Sequence, residues 1–88
     1  MKYKNIIALS FEEPKTAIKE SFLLEKYNWD SMTKINLITR IDKKYKKTID
    51  YKKFDKLKTF GDLDILIAKS LKKWKIYFLV ALVKLQNH

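Results

Sequence analysis

The chain has 88 residues, 47% of them hydrophobic and 14% aromatic, which is enough for one core and too few for two, so 1–88 reads as a single domain. One Gly and one Pro exclude the turn-rich all-β architectures and favour helices joined by short polar loops. The formal net charge is +10, there is no Cys and the single His is His88, which excludes a disulfide frame, a thiolate nucleophile and any His-based triad or zinc site.

The charge is unevenly spread. Five Lys meet five acids from Met1 to Asp30, whereas Ser31 to Lys58 holds ten basic residues against three acids, Asp42, Asp50 and Asp55. A basic middle segment suits an acidic partner, nucleic acid or an anionic membrane, and it suits a solvated lysine-rich face equally well. Met1 to Leu9 lacks the long apolar core and small-residue cleavage site of a secretory signal, so the expected compartment is the cytoplasm.

In chain order, Tyr3, Ile6, Ile7 and Leu9 set an apolar stripe at helical spacing and predict a first helix over Lys2 to Phe11. Glu12-Glu13-Pro14 ends it, since the residue before Pro is pushed out of the α region. Residues 15–28 show no regular period and predict a long ordered loop anchored by Ile18, Phe22, Leu23 and Leu24. Asp30-Ser31 is a helix start, with short oxygen-bearing side chains able to cap free N–H groups. Behind it Met32, Ile35, Ile38, Ile41 and Tyr45 recur every three or four residues, with Leu37 widening the stripe, and predict a helix of about four turns ending near Lys47.

Thr48-Ile49-Asp50 predicts an extended connector, and Tyr51, Phe54 and Leu57 a short third helix. Thr59-Phe60-Gly61-Asp62 has the form of a capping box with Asp in place of Glu, opening a last helix through Phe60, Leu63, Leu66, Ile67 and Leu71. Beyond it the run Ile76 to Val83 is too short to span a bilayer as a helix. The expected continuation is the same helix with Trp74, Phe78 and Leu82 on its stripe, a surface open through 74–85 to self-association or membrane-surface contact.

Asn28-Trp29-Asp30-Ser31-Met32 resembles the Asp-Ser-Leu motif of acyl carrier proteins and related phosphopantetheine-binding domains, with Met in place of Leu. The resemblance runs on through the helix to Tyr45, the Ile49-Asp50 step and Phe54 to Leu57, and closes on Thr59-Phe60-Gly61-Asp62-Leu63, similar to the family's Thr-Val-Gly-Asp-Leu. It covers about residues 2–71. It implies an all-α, small four-helix acyl-carrier-protein-like bundle with a long loop between helices 1 and 2, and the extended last helix expected from the tail is a departure from the family's pattern.

By that resemblance Ser31 carries a covalent 4'-phosphopantetheine arm derived from coenzyme A, which bears an acyl or aminoacyl group as a thioester. Asp30 is the motif acid and Met32 flanks the arm, while Lys34, Ile35 and Ile38 meet partners. Those partners are a phosphopantetheinyl transferase and the enzymes that load and unload the arm, and the chain itself is not an enzyme. The same residues admit a purely structural reading, with Asp30 as a plain cap, Met32 and Ile35 as plain core, and Trp29 covering the core beneath the loop.

Carriers of this family are acidic along the helix after the serine and dock on basic patches. Here Lys34, Arg40, Lys43, Lys44, Lys46 and Lys47 make that helix basic, which points away from housekeeping fatty-acid synthesis and toward a specialised pathway whose enzymes have acidic or apolar surfaces. The alternative is a small basic helical module binding nucleic acid or an acidic protein partner. A single Arg and the lack of a docking motif disfavour nucleic acid.

Overall fold

The computed structural model describes residues 1–71; the expected extension with Trp74, Phe78 and Leu82, and the contact surface through 74–85, lie outside the described residues. Within them the chain is all-α. Helix α1 spans Lys4–Phe11, α2 spans Ser31–Tyr45, a 3₁₀ helix spans Tyr51–Lys56, and α3 covers 60–71. No helix among the described residues is long and apolar enough to cross a membrane.

Each boundary has a local cause. Helix α1 closes through Glu12, left-handed at φ 56°, whose N–H donates to Leu9 O, while the Glu13 N–H donates to Ala8 O at 3.0 Å. Those two bonds form a Schellman closure, and Pro14 follows where the helix has already stopped. Helix α2 ends on Lys46, also at φ 56°, whose N–H returns to Asp42 O at 2.8 Å. The start of α3 is the expected reciprocal box: Thr59 Oγ1 accepts from the Asp62 N–H at 3.1 Å, and Asp62 Oδ2 accepts from the Thr59 N–H at 3.1 Å and the Lys58 N–H at 3.2 Å. Those donors hold the Asp62 carboxyl below its usual range, the Thr59 backbone N–H contributing most.

Helices α1 and α2 run antiparallel, with Tyr3 edge-on to Tyr45 at one end and Phe11 stacked on Trp29 at the other. Between them and α3 sit Ile7, Leu37, Ile41, Phe54, Phe60, Leu63 and Ile67, all sealed from water. Burying each such side chain contributes about 1.5–3 kcal/mol. Asp64 of α3 ties down the start of α1, its carboxylate accepting from the Tyr3 N–H at 2.8 Å and the Lys2 N–H at 3.3 Å.

The loop after α1 is ordered by two 3₁₀ turns, Lys15–Ala17 and Leu24–Lys26. Ile18 and Leu24 plug it into the core, whereas Phe22 and Leu23, expected as further anchors, are exposed and half-buried respectively. Backbone bonds stitch the loop to the entry of α3: Leu24 N–H to Lys58 O at 2.8 Å, Phe60 N–H to Phe22 O at 3.1 Å and Gly61 N–H to Glu20 O at 3.0 Å. A Cβ at position 61 would stand 3.2 Å from that same Glu20 oxygen, so the close approach favours Gly61 and a larger residue would have to push Glu20 aside.

Two expected stripes are buried along most of their length but lose individual members to water. In α2 the buried line is Thr33, Leu37 and Ile41, flanked by half-buried Ile38 and Tyr45, while Met32 and Ile35 face water. In α1 Leu9 faces outward and Ala8 and Ser10 are buried in its place. In the third helix only Phe54 is sealed; Leu57 is half-buried and Tyr51 is exposed.

Candidate functional site

The loop, α2 and the third helix converge at the N-terminus of α2. Asp30 is extended at φ −108° and ψ 179°, a backbone setting that turns its carboxylate back over the first turn, where Oδ1 accepts from the Thr33 N–H at 2.9 Å. That bond, with the Thr33 hydroxyl second, holds the Asp30 carboxyl below its usual range, so the cap is ionised at neutral pH. Ser31 is the first helical residue and is exposed.

A relay of rings fixes where Ser31 sits. Tyr27 and Phe11 both meet Phe60 edge-on at 5.0 Å, Phe11 stacks on Trp29 at 5.4 Å, and Trp29 meets Phe54 edge-on at 5.4 Å. Phe54 in turn meets Tyr51 at 6.3 Å, and the Tyr51 hydroxyl donates to Ser31 Oγ at 3.2 Å. Edge-to-face and offset pairs of this kind contribute about 0.5–1.5 kcal/mol each beyond their buried area. The residues before and after α2 are thus tied to one aromatic core, and the serine is held at its edge with its oxygen facing solvent. Trp29 covers that core beneath the loop.

The remaining site residues separate into two groups. Met32 is 68% exposed and Ile35 52% exposed, which leaves both as surface contacts beside the serine. Ile38 packs partly buried against the core. Lys34 is half-buried, its ammonium 5.2 Å over the Trp29 ring and 5.5 Å over the Tyr51 ring. Two aromatic faces therefore draw this cation in toward the serine and away from the open lysine surface.

Tyr51 is the residue that sequence reasoning missed. The spacing makes it only a member of the short third helix; it is 37% exposed and reaches back to the serine. Its position three residues before Phe54 carries no signal for that reach, because the contact depends on how the 46–50 connector turns.

Beside Ser31, Lys34 and Trp29 form one wall of a cleft of about 450 Å³, with Leu23, Phe54 and Leu57 as its apolar lining and Glu25, Asp55 and Lys58 at its polar parts. The arrangement presents an exposed hydroxyl at a helix N-terminus, a nearby fixed ammonium and a half-polar cleft. Among the described residues it holds no His or Cys that could raise the serine's nucleophilicity. Comparison of the chain with protein-family models, with curated proteins and with solved structures returns no match.

Proposed function

We propose that the chain is a carrier protein bearing a 4'-phosphopantetheine arm on Ser31, loaded and unloaded by separate enzymes. The observation that carries this reading is the placement of Ser31: an exposed residue at the first position of α2, behind an ionised Asp30 cap and followed within about one turn by two exposed apolar side chains, Met32 and Ile35. A phosphodiester on Ser31 Oγ meets the donor end of a helix and the ammonium of Lys34, both of which favour an anion. The arm supplies the thiol that holds the cargo, and the chain's residues bind, orient and expose it.

No base is needed in the chain, because the transferase that installs the arm takes the serine proton. Met32 and Ile35 offer that enzyme an apolar foothold within one turn of the hydroxyl. The order of elements supports the same reading: a capped serine opens the 15-residue helix α2, a connector and a short 3₁₀ helix follow, and the Thr59–Asp62 box opens α3. That is the order of the acyl-carrier-protein-like bundle. The basic outer face of α2 favours a dedicated pathway over a housekeeping one.

The test is intact mass after incubation with coenzyme A and a broad-specificity phosphopantetheinyl transferase, repeated with a transferase from the protein's own source. A gain of one phosphopantetheine, lost in Ser31→Ala, is the expected result. A folded protein that gains nothing from either enzyme would overturn the proposal.

A further inference from the structure

At the end of α2 away from Ser31, a groove of about 310 Å³ lies between α1 and α2, lined by Asn5, Ile6, Leu9, Arg40, Lys43 and Lys44. Arg40 is nine residues beyond Ser31, about 14 Å along the helix axis. The groove is therefore separate from the serine site. Its floor is apolar, and Leu9 stands 59% exposed on it although Ile6, Ile7, Ala8 and Phe11 of the same helix are all buried. Its α2 rim carries three cations at i, i+3 and i+4, which share one face. The only acid of α2, Asp42, is two residues from Arg40 and projects toward the opposite side of the helix.

We propose that this groove docks an acidic protein segment that presents one protruding apolar side chain. Charge complementarity selects that occupant. The lining contains no carboxylate and three cations, so carboxylates flanking the apolar side chain find partners on Arg40, Lys43 and Lys44. A second copy of the chain brings a net charge of +10 against the same rim, and residues 72–88 carry four Lys and no acid, so neither fits. A bilayer surface needs a broad apolar face, and this groove is concave with a single exposed apolar side chain. Nucleic acid gains from exposed stacking rings, and the nearest ones, Tyr3 and Tyr45, pack edge-on against each other at 5.9 Å. The proposal uses no feature of Ser31, so loss of the carrier reading leaves it standing.

The experiment is an amide chemical-shift titration of the full chain with a short Glu-rich peptide bearing one central Leu. Its Leu→Ser twin, a thymidine oligonucleotide and phosphatidylglycerol-containing vesicles run in parallel. The expected result is saturable binding with shifts centred on Asn5, Leu9, Arg40, Lys43 and Lys44. The twin peptide, Leu9→Asn and the double variant Arg40→Glu/Lys43→Glu should each bind about tenfold more weakly, and Lys52→Glu/Lys53→Glu should bind as before. Absence of saturable binding, shifts spread evenly over all lysines, or indifference to the central Leu would overturn the proposal. So would an oligonucleotide or vesicle that moves the same amides at lower concentration. Leu9 is exposed, so Leu9→Asn keeps the fold and the result interpretable.

Discussion

Tyr51 donates its phenolic hydrogen to Ser31 Oγ at 3.2 Å, across twenty residues of chain. The bond joins the short 3₁₀ helix to the first residue of α2, and it does so at the surface, where water competes for both groups. It therefore orients the serine more than it stabilises the fold. Tyr51→Phe is expected to change the unfolding free energy by less than about 0.5 kcal/mol, whereas Phe54→Ala, at the sealed end of the same relay, should cost about 3–5 kcal/mol. Urea denaturation of the two variants checks this. A loss above 1 kcal/mol in Tyr51→Phe would make the pair a structural latch instead.

Gly61 sets two effects of opposite sign against each other. Ala is the better helix residue by about 1 kcal/mol, yet its Cβ would press at 3.2 Å on Glu20 O, the oxygen that accepts from the Gly61 N–H at 3.0 Å. Moving Glu20 lengthens that bond and disturbs the neighbouring Leu23–Thr59 bridge. We expect the contact to win, with Gly61→Ala destabilising by about 1 kcal/mol. A thermal midpoint above that of the parent would refute the ordering of these effects.

Glu12 and Lys46 both close helices at φ 56°, where a side chain is strained and glycine is not. Glu12→Gly and Lys46→Gly should each raise stability by a few tenths to about 1 kcal/mol, the gain being reduced by the extra freedom of glycine in the unfolded chain. The melting temperature should rise by up to about 8 °C for a domain of this size. Because the two sites lie at opposite ends of the antiparallel α1–α2 pair, distinct from each other in contacts, their effects should add.

The acid limb of stability depends on Asp30 and Asp62. Both carboxyls lie below their ordinary value of 3.8 in the folded chain because backbone N–H groups bind the ionised form. Their contribution is fully present above pH 3.8 and is lost as pH falls below it through the lowered native values. Stability against urea should therefore drop in that acid window, and Asp30→Ala with Asp62→Ala should flatten the drop. The alkaline limb has the opposite origin. Burial, then the proximity of Tyr45 and Asp64, pushes the Tyr3 phenol above its ordinary 10.0, so the unfolded chain releases that proton first and stability falls as pH rises past 10. Tyr3→Phe should weaken that alkaline fall, and a titration following tyrosinate absorbance checks it.

The helix boundaries were legible in the chain because their causes span few residues. Asp30 reaches Thr33, and Thr59 and Asp62 reach each other, across three positions, so a capping residue and its target are visible together. Glu12-Glu13-Pro14 marks a stop for the same reason. The all-α class followed from the near absence of Gly and Pro and from apolar spacing.

The first turn of the α2 stripe, Met32 and Ile35, was not legible as surface. Ile35, Ile38 and Ile41 make one helical row, and Thr33, Leu37 and Ile41 make another that contains a polar residue. Hydropathy alone prefers the first, but α1 packs on the second, which leaves Met32 and Ile35 in water beside Ser31. Likewise Leu9 looked like core and Lys34 like open surface, until α2 set the one outside and the rings of Trp29 and Tyr51 drew the other in.

The amino-acid sequence by itself determined where the described helices begin and end, that they form one small bundle, and that Ser31 opens an amphipathic one, because caps, breakers and composition act through neighbours along the chain. Only the tertiary structure decided which face of each helix is buried, that Tyr51 meets Ser31, and that Arg40, Lys43 and Lys44 share a groove with Leu9. Those relations depend on how distant segments pack, and many sequence stripes are compatible with more than one packing until the partner surface removes one of them from water.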